Sequence, residues 1–213
     1  MVNVTNWLLF QSAVDAGPPG SGGLPKNLDD LDPQGLGLGQ PWVNPLAALT
    51  FGGQQASSGP IGLATAVGTK TNILRISQPS IAGQIPLEFR LLGVEVEVRG
   101  RWEGGTDGTR TVPVSSVVGS ALRTSIGSCS LPVSPSVGVC IKGGPIDRMN
   151  FSEADVANAG FGFQLFGSST TFNFQGNTLF IDSLRVRLHW TDPLPSRRLR
   201  SRTRAALTRN VAI

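Results

Sequence analysis

The chain has no tyrosine, one histidine, two cysteines and two methionines, and only 15 % of its residues are charged. Each shortage closes off a class of function. A nucleophilic triad needs its histidine beside a nucleophile and an orienting acid. The single His189 instead alternates with Arg185 and Arg187 on the outer face of a strand pattern, and no GxSxG elbow occurs. One histidine and two cysteines eleven positions apart do not make a zinc pattern. GxGxxG and P-loop spacings are absent, and glycine pairs such as Gly104–Gly105 fall in turns. Of the paired carboxylates, Asp29/Asp30 lie in a Gly/Pro-rich stretch and Glu153/Asp155 read as the start of a helix. No catalytic, cofactor-binding or metal-ligating residue is expected, and the chain reads as a non-enzyme.

The lack of tyrosine also weakens a carbohydrate platform, which relies on exposed aromatic faces. Trp42, Trp102 and Trp190 sit at strand ends or on apolar faces, where core packing accounts for them. No apolar run approaches the ~18 residues of a membrane helix. Trp7 to Phe10 is too short for a secretory signal and no basic residue precedes it. A soluble protein without membrane contact is expected. A weakly charged surface tends to associate, so neighbouring subunits are expected to cover much of it. Cys129 and Cys140 flank SLPVSPSVGV. They read first as two small buried apolar side chains, with a bond across a hairpin as the alternative.

What is present in quantity is glycine (27) and proline (15), the usage of short strands separated by many turns. The net charge of +4 hides an asymmetry. Beyond Asp192 the chain carries six arginines and no acid, which leaves net −2 for residues 1–192. Three segments follow. Residues 1–40 read as an N-terminal arm. VNVTNWLLF offers one strand or a short helix, and a Gly/Pro-rich stretch follows with spaced apolar anchors at Leu24, Leu28, Leu31, Leu36 and Leu38. Residues 193–213 read as a basic tail in which Arg197, Arg198, Arg200, Arg202 and Arg204 dock an acidic groove of a neighbouring protein. Nucleic acid is the less favoured partner of that tail, because the body has no basic stripe.

Residues 41–192 carry the period-2 alternation of half-buried strands. Val94, Val96 and Val98 fall on one face and Glu95, Glu97 and Arg99 on the other. Leu184, Val186, Leu188 and Trp190 oppose Arg185, Arg187 and His189, and Phe161, Phe163 and Leu165 alternate with Gly162 and Gln164. IGLATAVG, TNILRIS, TVPVSSVVG and VGVCIKG are weaker strand candidates. Ser152 caps one short helical turn in NFSEADVANAG. The expected fold is all-β: a two-sheet antiparallel, jelly-roll-like sandwich with an extended N-terminal arm and a basic C-terminal tail.

The runs PWVNPLAAL, TNILRIS, IPLEFRLLGVEVEVRGRW, GGPIDRMNFSEADVANAGFGFQLFG and FIDSLRVRLHW together resemble a β-sandwich module of tailed-bacteriophage structural proteins. Trp42, Asn44 and Pro45 match its opening. Gly93, Val94, Val96 and Val98 match its central strand. Gly143, Gly144, Pro145, Asp147, Asp155, Phe161 and Gly162 match its third block, and Ile181, Asp182, Leu184, Val186 and Leu188 its end. Met149 stands where the module usually has Trp, and the tail beyond Trp190 has no counterpart. On this resemblance Gly144–Pro145 make the turn before the helical segment and Asp182 lies in the turn before the last strand.

The resemblance implies a virion structural protein, assembled in the host cytoplasm, whose partners are other virion proteins and copies of itself in a homo-oligomer. A tail-side role (adaptor, baseplate or fibre anchor) is expected ahead of capsid decoration. A glycan-binding receptor module and a jelly-roll coat with a genome-binding arm are the further alternatives.

Overall fold

The computed structural model describes residues 2–17, 40–61, 70–81, 83–104, 109–169 and 176–193. Twelve strands are seen among them: β1 (Asn3–Val4), β2 (Leu8–Asp15), β3 (Trp42–Val43), β4 (Ala56–Ser58), β5 (Leu74–Pro79), β6 (Arg90–Gly104), β7 (Arg110–Val118), β8 (Ala121–Cys129), β9 (Gly138–Gly144), β10 (Phe161–Leu165), β11 (Ser168–Ser169) and β12 (Asn177–Thr191). A 3-10 turn covers Pro45–Leu49, and the one α-helix described, α1, covers Glu153–Val156.

The named strands pair antiparallel throughout and build two layers. In the first, β6 lies between β9 and β12, and the far edge of β12 is shared by β1, the start of β2, and β4 with β3 beyond it. The second runs β8-β7-β10-β5-β2, with β11 beside the start of β7. The chain passes back and forth between layers from β5 to β12, as a jelly roll does. β2 ties the layers together, because Leu8 and Leu9 pair with β12 while Phe10–Asp15 pair with β5. The all-β sandwich expected from the alternation is therefore the fold.

The alternation sets the core. Val94, Val96 and Val98 of β6 and Leu184, Val186 and Leu188 of β12 are all fully buried, facing Phe161, Phe163 and Leu165 of β10 and Leu74 and Ile76 of β5. Each such side chain contributes about 1.5–3 kcal/mol by leaving water. Phe151, Phe161 and Phe163 meet edge to face, with Phe10 of β2 against Phe163 at 6.0 Å, the geometry that ring quadrupoles favour.

Two expectations change. The body does not begin at residue 41, because β1 and β2 are paired into the sheets and Phe10 and Ala13 are in the core. Nor does Asp182 lie in a turn. It is the extra residue of a bulge inside β12, between the pairs Ile181–Gly100 and Ser183–Arg99. The bulge moves the inward-facing set from Leu179 and Ile181 to Leu184, Val186 and Leu188, which keeps a 15-residue strand apolar on its inner face. Of the IGLATAVG candidate, residues 62–68 lie outside the described residues.

Candidate functional site

The outer face of the first sheet carries a ladder of paired charges. The β6–β12 register sets Glu97 opposite Arg185 and Glu95 opposite Arg187. Both carboxylates are buried, at 6 % exposure, where an unpaired charge would be costly. Arg185 donates to Glu97 Oε1 through Nε (3.0 Å) and a terminal nitrogen (2.6 Å), and Arg187 Nε donates to Glu95 Oε2. Arg99 pairs with Asp182 at 3.0 Å.

Aromatic rings stack on these guanidiniums. Phe51 lies 4.8 Å from Arg99 and 4.5 Å from Arg185, and Trp7 lies 4.7 Å from Arg187, within cation–π range. His189 was expected on an exposed outer face. It is buried at 7 % and its Nε2 lies 3.3 Å from Glu95 Oε1, so it belongs to the same ladder. The face is thus largely self-neutralising, its carboxylates held against its guanidiniums.

A second polar cluster surrounds α1. Ser152 caps the helix and Asp155 closes a capping box by accepting from the Ser152 backbone N–H at 2.9 Å. Partial burial alone would raise the Asp155 carboxyl. The Ser152 backbone and hydroxyl bonds and the Arg123 guanidinium outweigh it and hold the group below its ordinary value. Glu153 behaves alike: burial opposes ionisation, but its own backbone N–H, that of Leu91, and the charges of Arg148 and Arg90 prevail and lower it. The Glu153/Asp155 pair therefore anchors the helix to β6 and β8. Gly144 and Pro145 lead into this segment through a turn, and Met149, where the resembled module has Trp, is buried beside Gly143.

The cysteines are bonded. Cys129 ends β8 and Cys140 lies in β9, so their disulfide joins the edge strands of the two layers. The first reading, two separate buried thiols, gives way to its alternative. The reason is geometric: the Val98–Cys140 and Val112–Cys129 pairings turn both sulfurs inward, with a Cα–Cα distance of 5.8 Å.

The arm residues Leu24, Leu28, Leu31, Leu36 and Leu38 and the tail residues Arg197, Arg198, Arg200, Arg202 and Arg204 lie outside the described residues, as do Asp29 and Asp30. Of the tryptophans, Trp102 is fully buried and Trp42 donates from Nε1 to the Asn72 carbonyl at 2.7 Å. No group of three His, Cys, Asp or Glu side chains is placed to hold a metal among the described residues, and no helix there is long and apolar enough to cross a membrane.

Apolar side chains at the surface were not anticipated individually. Leu87 is fully exposed on the β5–β6 connection, beside an open cleft of about 580 Å³ lined by Pro79, Ile81, Ile85, Phe89 and Val156. Ile146 is 92 % exposed at the turn after β9, and Val139 and Ile141 are exposed on β9 itself. No family model matches the chain, and no curated protein matches it.

Proposed function

We propose that the chain is a non-enzymatic structural subunit of a tailed-bacteriophage virion, placed on the tail side, that works through contacts with copies of itself and with other virion proteins. The observation that carries this reading is the contrast between its polar and apolar surface groups. The buried carboxylates of the first sheet are neutralised in place, whereas Leu87 and Ile146 project into solvent with no core to join. Apolar groups held out on connections, beside an apolar cleft, fit a surface that other chains cover. The four ordered blocks of resemblance supply the virion context. The leucine-spaced segment and the arginine tail supply, by their chemistry, an apolar and a cationic means of tying subunits together.

The test is the position and copy number of the chain in an intact particle, read by electron cryomicroscopy with a tagged chain. A small ring or trimer at the tail is the expected result. Many copies over coat-protein junctions would replace the tail-side role with decoration, and absence from the particle would overturn the reading as a whole.

A further inference from the structure

A strand at the edge of a sheet offers unpaired N–H and C=O groups to any chain that approaches. Proteins commonly guard such edges with charge, proline, bulges or brevity. Among the described residues β9 pairs with β6 along one side and with no strand along the other. Its side chains do not guard it. Opposite Arg99 and Glu97 of β6, Val139 and Ile141 stand on the outer face at 52 % and 51 % exposure. The strand's one charge, Lys142, lies on the other face and reaches over Gly127 of β8. The other edges differ. β8 is irregular at two points against β7 and carries Arg123, and β3 has two residues.

We propose that β9 is a self-complementary edge through which two copies of this chain pair, antiparallel about a two-fold axis at Cys140, joining their first sheets into one. An isologous joint sets each residue against a symmetry-fixed partner, so a charge on the axis would meet its own image. About Cys140 that does not happen. Val139 falls opposite Ile141 of the second copy, and Ile141 opposite its Val139, giving two apolar cross-strand pairs on the outer face. Lys142 falls opposite Gly138 rather than another lysine. One strand further in, Glu97, Glu95 and Arg99 are already held by Arg185, Arg187 and Asp182, so the incoming copy meets no unbalanced charge. Ile146, in the turn that follows the strand, is a further exposed apolar group. The pairing rests on the assembly reading only for the expectation that copies of the chain meet.

Sedimentation equilibrium of the full oxidised chain from about 1 to about 100 µM tests the joint. The mass is expected to rise from 22.4 kDa toward twice that value, and hydrogen exchange of the β9 amides to slow as concentration increases. Ile141→Lys, at a half-exposed position that should not disturb folding, is expected to raise the dimer dissociation constant about tenfold or more, because each joint loses two apolar pairs. Leu87→Lys, an exposed apolar position away from β9, is expected to leave it unchanged. A chain that stays monomeric at ~100 µM, or a dimer indifferent to Ile141→Lys with unprotected β9 amides, overturns the joint. A monomer found in particles would remove the joint and leave the assembly reading standing. A β9 dimer absent from particles would do the reverse.

Discussion

Gly100 and Asp182 show how a single position decides which way a face points. The bulge at Asp182 brings the Phe180 carbonyl oxygen over β6 at Gly100, where a Cβ would collide with it. Glycine there admits the bulge, the bulge turns the Asp182 carboxylate to Arg99, and Arg99 in turn lies under Phe51. Gly100→Ala is therefore expected to destabilise the fold by about 1–3 kcal/mol through a forced backbone shift, read as a lower urea midpoint. Asp182→Ala tests the order of cause. It should cost no more than about 1–2 kcal/mol, since it removes only the charge pair and leaves the bulge. An equal or larger loss for Asp182→Ala would mean that the ion pair, not the backbone fit, holds the bulge in place. The resemblance places Asp182 in a turn, whereas the bulge shifts the apolar phase inside one continuous strand.

Among the elements, the disulfide has the widest consequence. It closes a loop with a sequence separation of 11 and joins β8 to β9, the edge strands of opposite layers. A loop of that size contributes about 3 kcal/mol by restricting the unfolded chain. Cys129→Ser with Cys140→Ser is expected to lose that amount in urea unfolding under oxidising conditions, and to match the reduced natural chain; a difference from the reduced chain would show that the serines themselves disturb the packing. β6, β10 and β12 are legible in the sequence because one face of each is uniformly apolar, and α1 because Ser152 and Asp155 have capping-box spacing. β8 is not, because Leu122 and Ile126 alternate with Arg123, Thr124 and Ser125 on a half-exposed edge. β9 misleads: its apolar Val139 and Ile141 face outward, while Cys140 and Lys142 face the seam between layers. The charge ladder lies between these cases. Glu95 and Glu97 on one strand and Arg185 and Arg187 on another are visible as complementary sets, but pairing them requires strand order and register, which alternation alone does not specify.

At the scale of the whole molecule, a near-neutral body is followed by a basic tail, and on the proposed reading the first folds while the second attaches. β12 ends at Thr191, and β1 pairs at Trp190 and His189, so the described strands end before the arginines begin. The body's ionic pairs are internal: Arg185 and Arg187 meet carboxylates of β6, and Arg123 and Arg148 meet those of α1. A tail of six arginines without an acid is a strongly cationic segment, and its partners are expected on neighbouring chains. Deleting residues 193–213 should leave the thermal unfolding midpoint of the isolated chain within ~2 °C, since surface changes away from packed features usually stay within about 0.5 kcal/mol. The same deletion should reduce incorporation into particles, and the interaction of the full chain with its partner should weaken steeply with salt, as charge-assisted docking does. A large fall in the unfolding midpoint would instead show that the tail packs on its own body, and unchanged incorporation would remove its docking role.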